Sequence, residues 1–252
     1  MKISIIQLEH NDLDTKAQRI KNVSNLIRGL NSPDLILLPE LWGTGFFSYK
    51  EYQKNSESID GEIFLAMSEL AREKSSYIFT GSFIEKCGDK LYNTALLLDK
   101  KGEIIGSYRK IHLFGEEKEY LSPGKDICTA ETEFGIIGLS ICYDLRFPEL
   151  YRKLSQKGAQ ILLSCYALPK QRTEHWRILT PARALENQAF FISCGCSGEN
   201  RGIAYAGNSM VASPYGEILY ECKKEVTEVT IDINQAEKYR AEFSALKDRV
   251  LL

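Results

Sequence analysis

Short apolar runs alternate along this chain with longer stretches in which apolar residues recur every third or fourth place. Residues 3–8 read as a strand, and Ala17, Ile20, Val23, Ile27 and Leu30 then keep a helical spacing until Asn31-Ser32-Pro33 breaks it. Residues 34–38 form a nearly unbroken apolar run, the pattern of a strand covered on both faces, and it ends on Pro39-Glu40. Phe64, Met67, Leu70 and Ala71 mark a second helix with Asp60 as its expected cap, and residues 77–85 return to strand. Turns at Cys87-Gly88-Asp89-Lys90 and Lys100-Lys101-Gly102 set up hairpins of 92–98 and 103–108 that end at Arg109-Lys110. Residues 114–130 lack periodicity and read as a long loop, of a length that is usually functional in a compact domain.

The alternation then starts again. Residues 136–141 read as a buried strand ending on Cys142, and Pro148 suits the first position of a helix running to Gln156, with Gly158 as its stop. Residues 159–164 are a further buried strand. A polar loop over 169–173 leads to a helix carrying Trp176, Leu179, Ala182 and Leu185, which Pro181 is expected to kink. Strands follow at 189–194, 207–212, 218–222 and 226–233, with a turn at Ser213-Pro214-Tyr215-Gly216 and a helical tail from Asn234. Strand-helix-strand-helix followed by strands thus occurs twice, before and after about residue 130. Such a duplication implies an α/β fold of two mixed sheets packed face to face with helices outside, a four-layer α-β-β-α sandwich forming one domain over 1–252.

Charge and composition narrow the partners. The 252 residues carry 32 basic and 34 acidic side chains without blocks, a net charge of −2, which removes the electrostatic footprint of a nucleic-acid or membrane-surface binder. No apolar run approaches the ~20 residues needed to span a bilayer and no secretory signal is visible, so a cytoplasmic protein with a small-molecule partner is expected. Seven scattered cysteines in such a chain argue against a disulfide framework.

Three reactive side chains, Glu40, Lys110 and Cys142, each follow a predicted strand, and strand ends are where ligands bind in α/β proteins. Cys142 stands at a strand-to-helix corner, where backbone N–H groups and the helix start are expected to favour its thiolate. A cysteine hydrolase needs a nucleophile, a proton carrier and positive charge or donors at the oxyanion, and these three residues fill those roles. Neither spacing nor motif pairs His10, His112 or His175 with Cys142, and Cys194-x-Cys196 lacks a partner pair at metal-ligand spacing. Phosphate-binding and dinucleotide fingerprints are missing too, so neither a metal nor a cofactor is expected.

Four segments together resemble the nitrilase superfamily of carbon–nitrogen hydrolases: Leu37-Leu38-Pro39-Glu40, Tyr108-Arg109-Lys110-Ile111-His112-Leu113, Cys142-Tyr143-Asp144-Leu145-Arg146-Phe147-Pro148-Glu149 and Ala182-Arg183-Ala184-Leu185-Glu186-Asn187-Gln188. They occur in the family's order over nearly the whole chain. The resemblance implies the α-β-β-α fold, a Glu-Lys-Cys triad, a homodimer and no cofactor. Carried over by position, Cys142 is the nucleophile, Glu40 the general base, Lys110 the cation at the tetrahedral intermediate and the Tyr143 N–H an oxyanion donor. A second glutamate of the family corresponds to Glu117 by its distance from Gly124, with Glu116 and Glu119 as alternatives.

Within the family the chain is most similar to ω-amidases, which act on short dicarboxylate monoamides such as 2-oxoglutaramate. Such a substrate requires a cation for its distal carboxylate, which points to Arg172, with Arg146, Arg177 and Arg201 as rivals. Arg146 has an alternative use as a structural partner of Asp144 or Glu149, and Tyr166 and Phe46 are the expected pocket walls. Asn208 stands where relatives carry a histidine, and Pro181 interrupts a helix that relatives leave unbroken. Competing readings are an N-carbamoyl amino-acid hydrolase, an amidase of deaminated glutathione and, outside enzymes, an idle binding or redox-sensing module with Cys142 as the oxidised group.

Overall fold

A computed structural model describes residues 1–250. The first sheet is built from β1 (Lys2–Ile6), β2 (Leu35–Leu37), β3 (Tyr77–Cys87), β4 (Lys90–Leu98) and β5 (Ile104–Arg109), the second from β6 (Thr129–Thr132), β7 (Gly135–Ile141), β8 (Ile161–Tyr166), β9 (Phe190–Gly195), β10 (Ser209–Ala212) and β11 (Ile218–Cys222). A last strand, β12 (Val226–Thr230), returns to the first sheet and pairs antiparallel with β1, Ile3 opposite Val229. The orders are therefore β12-β1-β2-β3-β4-β5 and β11-β10-β9-β8-β7-β6. In each sheet three parallel strands, β1-β2-β3 or β7-β8-β9, are flanked by one antiparallel strand on one side and two on the other. The duplication read from the sequence is thus present, except that the first half borrows its edge strand from the end of the chain.

Side-chain alternation explains the layers. Ile3, Ile5, Leu35 and Leu37 face inward and share a core with Leu139 and Ile141 of the second sheet. The intervening Ile6, Ile36 and Leu38 face outward and are covered by α1 (Lys16–Arg28) and α2 (Glu62–Lys74), through Val23, Ile27, Ile63, Met67 and Leu70. With both faces covered, β2 has no polar position, which is why it reads as an unbroken apolar run. On the far side α4 (Pro148–Gln156) and α5 (Thr173–Asn187) pack on the second sheet, and α3 is the single turn Glu117–Tyr120.

Three local expectations change. Asp60 is exposed and does not cap α2; the Glu57 carboxylate instead accepts the Glu62 and Ile63 N–H groups, each at 3.1 Å, because it approaches the helix start from the preceding turn. α5 continues through Pro181, since proline removes one rung of the helical ladder while Trp176 and Ala184 on either side hold the helix to the core. The long segment after Lys110 is not structureless: it includes α3, and the Gly124 N–H returns to the Lys110 carbonyl at 2.8 Å.

Candidate active site

Glu40 lies just beyond β2, fully buried. Its approach depends on Gly81 at a bulge in β3: φ there is +65°, and a Cβ would stand 2.0 Å from the Pro39 carbonyl oxygen, so no other residue fits. Lys110 follows β5 and is also fully buried, its N–H bonded to the Asn93 carbonyl at 2.8 Å. Gly124 packs against the same strand end, where a Cβ would meet the Arg109 carbonyl oxygen at 2.1 Å. The Lys110 ammonium reaches Glu40 Oε1 at 2.8 Å, Glu117 Oε2 at 2.9 Å and Glu117 Oε1 at 3.2 Å. Among the sequence candidates for the second glutamate, Glu117 alone is buried in this cluster; Glu116 and Glu119 are exposed on the same turn.

Asn93, in β4, was not singled out by sequence reasoning. Its amide nitrogen donates to Glu40 Oε1 and to Glu117 Oε1, both at 2.9 Å. The Phe114 N–H donates to Glu117 Oε2 and the Ala167 N–H to Glu40 Oε2, also at 2.9 Å. Burial alone pulls the Lys110 ammonium down, but Glu117 and Glu40 outweigh it and hold its pKa well above the usual lysine value. Burial pushes the Glu117 carboxyl up, against the opposing pull of Lys110. Asn93 is invisible to pattern reading because an asparagine in a strand reads as a polar break; only its neighbours show why it is there.

Cys142 follows β7 in a left-handed conformation, φ +48°, and opens the 3₁₀ turn Cys142–Arg146. The turn is held by Asp144, whose buried carboxylate accepts the Ile141 N–H at 2.9 Å, the Tyr108 hydroxyl at 2.7 Å and the His112 N–H at 3.1 Å, with His112 Nδ1 at 2.7 Å. Asp144 thus joins the strand end that carries Lys110 to the corner that carries Cys142. The expected thiolate preference is reversed: burial and the Glu40 carboxylate push the Cys142 thiol well above its ordinary value, with Lys110 opposing. Ala167, whose N–H donates to Glu40 Oε2, lines the same cavity as Cys142.

A cavity of about 30 Å³ opens onto Cys142, walled by Phe46, Phe114, Tyr143 and Trp176 and carrying Arg146 and Arg172. The Arg172 guanidinium lies 4.6 Å from the centre of the Phe114 ring, and Arg146 donates to His175 Nδ1 at 2.9 Å. Among the described residues neither arginine has a carboxylate partner, so the expected pairing of Arg146 with Asp144 or Glu149 does not occur; Asp144 is saturated by Tyr108, His112 and Ile141. Arg177 and Arg201 are spent elsewhere, on Glu221 at 2.6 Å and on Glu51. Tyr166 does not wall the cavity: it is buried behind it, its hydroxyl on the Gly207 carbonyl at 2.7 Å and its ring 3.9 Å from Trp176, which takes the wall position. A strand residue's face follows from register, and β8 turns Tyr166 inward.

A buried acid-cation-thiol cluster at strand ends beneath a cationic cavity is hydrolase architecture, and the family profile described as carbon-nitrogen hydrolase matches residues 2–241. The chain belongs to the carbon-nitrogen hydrolase family. It is an enzyme that hydrolyses amide C–N bonds, of the nitrilase superfamily and its ω-amidase-like branch. A 2-oxoglutaramate amidase from Paenarthrobacter nicotinovorans is 34% identical over 262 residues, covering 99% of this chain and 89% of that protein. A deaminated glutathione amidase from Dictyostelium discoideum is 35% identical over 225 residues, covering 81% and 77%. Among solved structures, an amidase variant from Nesterenkonia sp. AN1 with the acetamide moiety of fluoroacetamide added covalently at its active-site cysteine superposes with a TM-score of 0.84 at 27% identity, covering 99% of this chain and 93% of that one. Among the described residues no group of three His, Cys, Asp or Glu side chains is arranged to hold a metal, and no helix is long and apolar enough to cross a membrane.

Proposed function

We propose that this hydrolase releases ammonia from a short, carboxylated amide of the 2-oxoglutaramate type through a thioester on Cys142. The observation that carries this reading is the pair of guanidinium groups, Arg146 and Arg172, that have no carboxylate partner among the described residues and lie in the otherwise largely apolar cavity above the thiol. A cation in such surroundings favours an anionic ligand, and a guanidinium grips a carboxylate through two parallel hydrogen bonds. The chemistry follows from the cluster beneath. Glu40 takes the Cys142 proton; the sulfur attacks the amide carbon; Lys110 and the Tyr143 N–H steady the charge on the carbonyl oxygen. The proton held by Glu40 returns to the amine as ammonia leaves, and Glu40 then activates the water that hydrolyses the thioester. Glu117 keeps Lys110 in place.

Ammonia release from 2-oxoglutaramate, succinamate, N-carbamoyl amino acids and nitriles tests the reading: turnover of the first two is expected, and inactivity on both removes it. Arg172→Ala is expected to raise KM for succinamate about 10- to 100-fold, the worth of a charge-assisted contact of about 1.5–3 kcal/mol, while an uncharged aliphatic amide is cleaved as before. An equal loss on both substrates would assign Arg172 to folding instead.

The deaminated-glutathione reading has one observation of its own. On the other side of Phe114 lies a wider groove lined by Tyr49, Lys50, Glu116, Tyr120 and Arg201, with room for a larger leaving amine than ammonia. Comparing a primary amide with its N-substituted counterpart separates the two.

We also propose a homodimer. Ile178 and Leu185 on α5 are 65% and 44% exposed and Leu219 on β11 is 36% exposed, and the Arg177–Glu221 pair joins the two elements into one face. Equilibrium sedimentation is expected to return twice the chain mass.

A further inference from the structure

The two arginines of the cavity are held in different ways. Arg146 spends a donor on His175 Nδ1 at 2.9 Å, and its guanidinium carbon lies 6.0 Å from the centre of the Tyr143 ring. Arg172 ends the 3₁₀ turn Lys170–Arg172 ahead of α5, and among the described residues its side chain has no hydrogen-bond acceptor. Its contact is the face of Phe114, at 4.6 Å. A guanidinium carries all five of its N–H groups in its own plane, so stacking through the face fixes that plane and uses none of them. Phe114 is in turn tied to the reacting cluster. Its N–H donates to Glu117 Oε2 at 2.9 Å and its carbonyl accepts the Glu117 N–H at 3.1 Å, while Glu117, fully buried, holds the Lys110 ammonium. Two residues, Glu117 and Phe114, thus join the ammonium beside the thiol to the guanidinium in the cavity.

We propose that Phe114 determines the preference for carboxylated amides by bracing Arg172: its ring holds the guanidinium in one plane and leaves the N–H groups for the distal carboxylate of the substrate. An unbraced arginine at a cavity mouth samples many rotamers, and gripping an anion would have to freeze them. A stacked one has lost that freedom before the substrate arrives, so less affinity is spent on ordering it. Phe114 is therefore a positioning residue that acts through Arg172. Its ring also packs 5.0 Å from that of Tyr143, the neighbour of Cys142, which keeps the brace in register with the corner that carries the thiol. A ring that only filled space at the rim would serve charged and uncharged amides alike; a brace for a cation serves the charged ones.

The inference rests on the proposed carboxylated substrate, and its test separates the two. KM is measured in the full-length protein for succinamate and for butyramide, which has a methyl group in place of the carboxylate and serves as substrate or as competitive inhibitor. Phe114→Leu keeps apolar bulk and removes the π face; it is expected to weaken succinamate about three- to tenfold more than butyramide, the worth of a partly buried cation–π contact. Phe114→Tyr keeps the face and is expected to retain the parent's preference. In an Arg172→Ala background the excess loss on Phe114→Leu is expected to vanish, since the two side chains would then share nothing. Equal weakening of both amides by Phe114→Leu, an excess that persists without Arg172, or a Phe114→Tyr protein that behaves like Phe114→Leu overturns the brace. Phe114→Met, equally ringless, decides if Phe114→Leu does not fold. Selective loss of succinamate in Arg172→Ala but not in Phe114→Leu strikes the brace and leaves the substrate reading standing. An Arg172→Ala protein without selective loss, or a parent that cleaves no carboxylated amide, removes the substrate reading and the brace with it.

Discussion

Cys142→Ala protein is expected to release no measurable ammonia from any amide that the parent cleaves, a loss of at least about 10⁴-fold, while keeping its fold. Glu40, Lys110 and Glu117 pair with one another and with Asn93, Ala167 and Phe114, so removing the sulfur orphans none of them. The side chain is small, and the vacated volume adjoins a cavity that already exists. Thermal unfolding should therefore move by no more than a few degrees. The measurement pairs ammonia release with intact mass under substrate: the parent should accumulate an added acyl mass and the variant none. An alanine variant that still turns over would place the nucleophile elsewhere, and oxygen adducts without acyl adducts in the parent would favour the redox-sensor reading.

Lys110→Met is expected to be as damaging to activity and far more damaging to stability. Two carboxylates, both fully buried, share this one cation. Removing one partner of a buried ion pair costs about 3–5 kcal/mol, because the charge left behind has neither water nor a counter-ion. Here two are left, so one must take up a proton. The pH dependence carries the signature. Glu117 already has a raised pKa through burial against Lys110, and without the cation the value rises further. A carboxyl raised in the folded state contributes stability that is complete below its unfolded value near 4.3 and is lost as pH rises through the folded value. The melting temperature of Lys110→Met should therefore fall from pH 5 toward pH 8 more steeply than that of the parent. Adding Glu117→Gln should flatten that dependence and recover much of the stability without restoring turnover. A variant whose melting point tracks the parent at every pH would mean that the two carboxylates are not charged together.

Much of this protein is legible in its residue order. Two-sided burial writes β2 as an apolar run and amphipathic helices write a period of three to four, so the layers and their duplication follow from pattern alone. Glu40, Lys110 and Cys142 stand out because each follows a strand, and a peptide is short enough that a strand end dictates where the next side chain goes. What pattern cannot carry is the approach of segments distant in sequence. Asn93 matters only because Glu40 and Glu117, 53 and 24 residues away, meet at its amide. Tyr166 and Trp176 exchange wall and core because register, a tertiary property, sets which face of β8 points inward.

The same division applies to the thiol. Sequence determined that one cysteine sits at a strand-to-helix corner, with an acid and a lysine following other strands. Local reasoning from the helix start then implied a low thiol pKa. Tertiary structure decided the opposite, since desolvation grows with everything packed around the sulfur and outweighs a single turn of helix. It also decided which arginines, among the described residues, remain without carboxylate partners, because pairing depends on which carboxylates other segments have already claimed: Asp144 is held by Tyr108, Ile141 and His112, and Arg146 and Arg172 are left to the cavity.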